Sequence, residues 1–196
     1  MLQRCIFLLI LFLVLSVKAH TQTLQDAFAK KDTSLIYKLL AEGANINEVD
    51  KYGATFLMTA CRWGDIAYLK FLVELGARVD SPRSSKGRTP LIVACAYYGG
   101  KEICDYLLLH GAKVNAQSDD GCTALMLAAQ YWKSDIVALL LKEGADARIT
   151  DKKGQTAIDY LNMNAVTDDL KKMLSGFKVD KDATLSSLEN AIKNPH

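Results

Sequence analysis

The sequence lacks an excess of charge of either sign, a cluster of metal-ligating side chains, and a hydrophobic run of comfortable membrane-spanning length. Each absence removes a class of function. Lys and Arg number 24 against 22 Asp and Glu. Arg4 and Lys18 are the only charged residues among the first 19, so the remainder carries 22 of each sign. Nucleic-acid binding draws on a basic surplus that neutralises phosphates, and none exists here. The local stretch Arg83-Ser84-Ser85-Lys86-Gly87-Arg88 puts three charges in a loop, which solvation accounts for. Histidine is scarce: His20, His110 and His196 are scattered, and none has a nucleophile beside it. No Cys/His set has metal-site spacing, and no Gly-rich loop followed by Lys and Ser/Thr could cradle a phosphate. The acid pairs Asp119-Asp120 and Asp168-Asp169 fall in a loop and near a helix start, where solvation and the helix dipole explain them. The expectation is a protein without catalytic residues, cofactor or metal.

What is present begins with the first 19 residues. Arg4 supplies a positive start, Cys5 to Val17 is apolar apart from Ser16, and Val17-Lys18-Ala19 offers small residues for cleavage. The apolar run falls short of the roughly 20 residues a spanning helix needs, so residues 1–19 read as a signal peptide rather than an anchor. Cys5 precedes the run, which argues against a lipoprotein. The processed chain is expected to be periplasmic or secreted, monomeric, and without a stable membrane anchor.

The strongest pattern is a repeat. Gly-x-Thr occurs at Gly53, Gly87, Gly121 and Gly154, at intervals of 34, 34 and 33 residues. A second series, Gly-Ala, begins at Gly43, Gly76, Gly111 and Gly144, about ten residues before each Gly-x-Thr. Between them lie two apolar stretches per unit, such as Leu91–Cys95 and Ile103–Leu108, each long enough for a helix. Each Thr precedes a helix, where its hydroxyl can accept from an unpaired backbone N–H, and Pro90 follows Thr89 at the first helical position. Gly144, after the Leu-rich Leu139-Leu140-Leu141, suits a left-handed helix end. Asp32, Asp65 and Asp135 sit near the starts of second helices.

The segments Gly87-Arg88-Thr89-Pro90-Leu91-Ile92-Val93-Ala94-Cys95 and Gly121-Cys122-Thr123-Ala124-Leu125-Met126-Leu127-Ala128-Ala129 resemble the ankyrin signature, glycine, any residue, then TPLHxAA. Leu107-Leu108-Leu109-His110-Gly111-Ala112-Lys113-Val114-Asn115-Ala116 is similar to that family's leucine-rich helix and GADVNA turn. The resemblance, to an exported member of bacterial type, implies an all-α solenoid of about five helix-turn-helix units with β-hairpin-like finger loops. The units run 24–52, 53–86, 87–120, 121–153 and 154–175, within a repeat domain of 20–175, and 176–196 forms a capping helix or tail with Leu185, Leu188 and Ile192 on one side. Met58, Ile92 and Met126 replace the signature histidine, so apolar packing is expected in place of its polar tie. Units two and three each carry one extra residue, in Ser81–Lys86 and in Tyr97-Tyr98-Gly99-Gly100.

Ankyrin proteins bind along the concave side, with finger tips and the ends of first helices. Carried onto this chain, those positions are Arg62 and Trp63, Ala96 and Tyr97 with the inserted Tyr98, Gln130, Tyr131 and Trp132, then Met163 and Asn164. Tip candidates are Lys51, Tyr52, Lys86, Arg88, Asp119, Asp120, Lys152 and Lys153. Trp, Tyr and Arg combine contact area with a polar handle and so carry much binding energy at interfaces. Trp132 stands where the family has glycine, and it has the alternative of folding over the turn.

Cys61, Cys95, Cys104 and Cys122 form an even set in an exported chain, which invites disulfides. Cys61 and Cys95 occupy equivalent positions of neighbouring units, whose helices at about 8 to 10 Å exceed the roughly 7 Å reach of a bridge. A Cys95–Cys104 bridge within one unit stays open beside buried free thiols. Cys122 is expected to be the most exposed and reactive. The functional expectation is a non-enzymatic adaptor or inhibitor gripping a protein partner. The alternatives are a structural accessory that stabilises an envelope enzyme and, in a different class, a small-ligand-binding protein or enzyme with a deep polar pocket.

Overall fold

The computed structural model describes residues 23–80, 86–163 and 181–194. Residues 1–19, where a signal peptide is expected, His20, most of the Ser81–Lys86 loop, Asn164, Asp168-Asp169 and His196 lie outside the described residues.

The described residues hold ten helices: α1 (Leu24–Lys30), α2 (Thr33–Ala41), α3 (Phe56–Trp63), α4 (Ile66–Glu74), α5 (Pro90–Ala96), α6 (Lys101–Leu109), α7 (Ala124–Gln130), α8 (Ser134–Lys142), α9 (Ala157–Met163) and α10 (Lys181–Lys193). The chain divides into two compact units, residues 1–45 and 46–196. In the first, α1 and α2 form a helix pair. Thr23 and Asp26 build a reciprocal cap at the start of α1, and Asp32 Oδ1 accepts from Leu35 N at 3.0 Å at the start of α2.

In the second unit, α3, α5, α7 and α9 pack side by side as one row of first helices, and α4, α6 and α8 form the row behind. Antiparallel neighbours joined by short turns are what stacked helix pairs produce, because neither helix of a pair can bury its apolar face alone. The fold is the all-α repeat solenoid that the spacing implies. Among the described residues the finger loops show a single isolated bridge, Val49 with Thr55, so they are turns rather than extended hairpins.

The repeated threonines cap as their position requires. Thr55, Thr89 and Thr123 hydroxyls accept from Met58, Ile92 and Met126 N at 3.2, 3.3 and 3.3 Å. Each cap is worth about 1 kcal/mol. Burial is larger: every residue of α5 is buried, as are Ala124 to Ala129 of α7. Each fully buried Leu or Ile contributes roughly 1.5–3 kcal/mol, so the first-helix row carries the stability and the caps fix its boundaries. Met58, Ile92 and Met126 are buried in place of the signature histidine. The polar tie is not wholly lost, because Thr123 N donates to Met126 Sδ at 3.5 Å.

Helix α10 packs against α8 and α9. Its buried side is Thr184 and Leu188 with Leu185 half-buried; Ile192, expected on that side, is exposed because the stripe drifts past it by the last turn.

Candidate functional site

The ends of the first helices place Trp63, Tyr97 and Tyr131 at equivalent points of three adjacent repeats. Trp63 closes α3, while Tyr97 and Tyr131 are the residues immediately after α5 and α7. They are 55%, 41% and 49% exposed, and Tyr98 reaches 83%. Large aromatic side chains left in water at register positions of a packed array are unusual surface, because burying each would be favourable.

The backbone beneath them is fixed from several directions. The inserted loop runs from Tyr97 to Gly100. A Cβ on Gly99 would lie 2.5 Å from both Cα and O of Ala94, so only glycine lets the loop lie flat on α5. One repeat earlier, a Cβ on Gly64 would come within 2.7 Å of the Tyr98 carbonyl oxygen, which places the inserted loop directly against the α3–α4 turn. From the following repeat, Lys133 Nζ donates to the Tyr97 carbonyl. The Arg62 guanidinium lies 4.9 Å over the Tyr97 ring. Burial holds the Lys133 ammonium pKa below its ordinary value. Tyr97 and Tyr98 are thus presented by a loop anchored on both neighbours.

Trp132 departs from this pattern. It stands in the position that Gly64 occupies in the second repeat and adopts the same left-handed backbone, with φ 53° against 74°. Its side chain is half-buried, and its Nε1–H donates to the carbonyl of Leu161 at 3.2 Å. That carbonyl belongs to α9. Folding over the turn therefore describes Trp132, which joins the fourth repeat to the fifth. Gln130 is half-buried beside it, and Met163 is 45% exposed at the end of α9.

The finger tips form a second line. Lys51 lies 5.0 Å over the Tyr52 ring, and both are exposed. Arg88 is half-buried, and its charge helps hold Asp120 below the usual carboxylate range, after the larger effect of the Ser118 hydroxyl at 2.5 Å. Lys86, Asp119, Lys152 and Lys153 are exposed. Adjacent fingers touch through backbone: Asp119 N donates to Lys86 O at 2.9 Å and Lys152 N to Asp120 O at 3.1 Å.

The reading of Cys122 as the most exposed thiol is corrected. Cys122 is 3% exposed, with Sγ 2.7 Å from the Tyr160 hydroxyl, which donates to Asp151 Oδ2 at 2.9 Å. Since Tyr160 has one proton and an ionised acceptor in Asp151, the thiol donates to Tyr160. Burial raises the Cys122 pKa, so it is not a reactive thiol. The cause is the fifth repeat, whose finger and α9 cover a position that is open when one unit is considered alone.

Two residues escaped the sequence reading. Asn47 accepts from Arg78 N at 2.7 Å and donates to Gly76 O at 3.3 Å; Asn115 accepts from Asp146 N at 2.9 Å and donates to Gly144 O at 3.0 Å. Each clamps its loop to the next repeat's. Their separation of 115−47=68 residues, two repeat lengths, was the available signal. Among the described residues no group of three or more His, Cys, Asp or Glu could hold a metal.

A family model for ankyrin repeats, three copies long, matches residues 24–118 and 95–183. The chain belongs to the ankyrin-repeat family. Ankyrin arrays are protein-interaction modules. A Plasmodium falciparum protein whose name assigns it provisionally to the E3 ubiquitin-protein ligases is 32% identical over 145 residues, covering 68% of this chain and 1% of that protein. The mouse B-cell lymphoma 3 protein homolog is 34% identical over 125 residues, 63% of this chain and 28% of its own length. An armadillo (Dasypus novemcinctus) ankyrin repeat, SAM and basic leucine zipper domain-containing protein is 28% identical over 137 residues, 68% of this chain and 28% of its own. This ankyrin chain therefore spans well under two thirds of each relative, and all three come from eukaryotes.

Proposed function

We propose that this ankyrin array is an exported adaptor or inhibitor that binds a protein partner through the edge formed by Trp63, Tyr97, Tyr98 and Tyr131, with Arg62 among them. The observation that carries the reading is the anchored display of these rings: three repeats expose an aromatic at the same register, and backbone contacts from both sides hold the inserted loop. A preorganised aromatic surface forfeits little conformational entropy on binding, which is where such surfaces gain affinity. The finger-tip residues Lys51, Tyr52 and Arg88 extend the same contact. Export rests on the character of residues 1–19, with periplasm or exterior as the destination. Among the described residues no helix is long and apolar enough to cross a membrane.

The test is affinity capture of the processed protein from its native envelope fraction, set against a Trp63→Ala/Tyr131→Ala variant whose melting curve is checked in parallel. The expected result is a partner retained by the wild type and weakened about tenfold or more in the variant, since central aromatic anchors are worth upwards of 1–2 kcal/mol each. Equal recovery by a folded variant would overturn the edge as the binding surface and favour an accessory that stabilises an envelope enzyme through diffuse contacts.

A further inference from the structure

Cys95 lies in the last turn of α5 and Cys104 in the first turn of α6, so the two close the base of the Tyr97–Gly100 loop. Both are fully buried, and their Sγ atoms are 3.9 Å apart. A disulfide has a bond length of about 2.05 Å, so the sulfurs have only about 1.9 Å to close. The two halves of the pair belong to one packed helix hairpin, and closure requires no movement between repeats. The other described thiols are placed differently. Cys122 is engaged with Tyr160, and Cys61 sits on α3 of the preceding repeat, where its charge acts through space to raise the Cys95 thiol.

We propose that Cys95 and Cys104 are a redox modification site, a buried dithiol that a small disulfide such as oxidised glutathione converts to an intrarepeat bridge beneath the aromatic loop. In the closed fold both sulfurs are shielded from solvent, so reaction begins when the loop lifts from α5. One cysteine loses its proton and attacks a sulfur of the small disulfide, forming a mixed disulfide and releasing one small thiolate. The second cysteine, deprotonated in turn, attacks the protein sulfur of that mixed disulfide and releases the other thiolate. The two protons end on the two released thiols, the protein pair loses two electrons, and the small disulfide gains them. The Lys133 ammonium beside the pair favours the Cys95 thiolate. The bridge pins both ends of the loop that carries Tyr97 and Tyr98, and it does not depend on what that loop binds.

Peptide mapping of the full wild-type chain tests this directly, because cleavage after Arg88, Lys101 and Lys113 puts Cys95 and Cys104 in separate peptides, 89–101 and 102–113, each with one cysteine. The protein is equilibrated with excess oxidised glutathione, once folded and once during refolding from urea, then alkylated and digested without reduction. The expected product is the two peptides joined with loss of two hydrogens, exceeding any species linked through Cys61 or Cys122 by about tenfold. Formation during refolding alone still supports the site, since burial then sets the rate. Free thiols or stable glutathione adducts on both peptides in both regimes, or a dominant bridge from Cys61, would overturn it.

Discussion

Arg62 and Tyr97 meet across two repeats, with the guanidinium 4.9 Å from the ring centroid. An exposed cation–π pair contributes about 0.5–1 kcal/mol. A double-mutant cycle on Arg62→Ala and Tyr97→Leu, read by urea unfolding, should return a coupling energy of that size. Additive effects within error would mean that the stacking contributes nothing to the fold.

Trp132 offers a cleaner comparison. Its left-handed backbone costs a non-glycine residue about 1–2 kcal/mol. Trp132→Gly and Trp132→Ala both lose the indole and its bond to Leu161, and only the alanine keeps the backbone cost. The alanine variant should therefore unfold at lower urea than the glycine variant, by about 1 kcal/mol. The reverse order would contradict the left-handed turn.

Gly99→Ala should reach both stability and binding. The new methyl would meet Ala94 backbone at 2.5 Å, contact with a helix rather than with a flexible side chain, so the inserted loop must lift. Overpacking of this kind costs about 1–3 kcal/mol. The same substitution at Gly100, where a Cβ would meet nothing within 4 Å but alanine caps α6 less well than glycine, is the control and should cost less, under about 1 kcal/mol.

Asp151 gives a pH dependence with a definite sign. Burial pushes its carboxyl up, but the Gln155 and Lys153 N–H groups and the Tyr160 hydroxyl outweigh that and hold it below the usual carboxylate range. A carboxyl with a depressed folded pKa stabilises the protein above its unfolded pKa of about 3.9 and loses that contribution as pH falls through the lower folded value. Acid unfolding of the wild type should steepen below about pH 4. Asp151→Asn, less stable at neutral pH, should show a shallower slope there; an identical slope would remove Asp151 from the acid transition.

Much of the fold was legible in the sequence because its determinants are local and repeated. Thr55, Thr89 and Thr123 cap the helices they precede, and Gly144 takes the left-handed end that its place after a leucine-rich helix suggests. What escaped the sequence depends on contacts between repeats. Cys122 is open in its own unit and closed by Tyr160, 38 residues away. The indole of Trp132 finds its acceptor 29 residues on. At the candidate edge, register located Trp63, Tyr97 and Tyr131, while the anchoring of the inserted loop by Gly64, Gly99 and Lys133 appears only when neighbouring backbones are brought together.

The start of α8 carries a last consequence. Lys133 stands where α2 and α4 begin with Asp32 and Asp65, and its side chain makes no cap. A cation at the positive end of a helix dipole is unfavourable there, and what receives it is a carbonyl of the repeat before, in a loop one residue longer than the standard turn. The third and fourth repeats are therefore not exchangeable parts. Excising residues 87–120 would keep the period of the array and remove the carbonyl that now receives that ammonium.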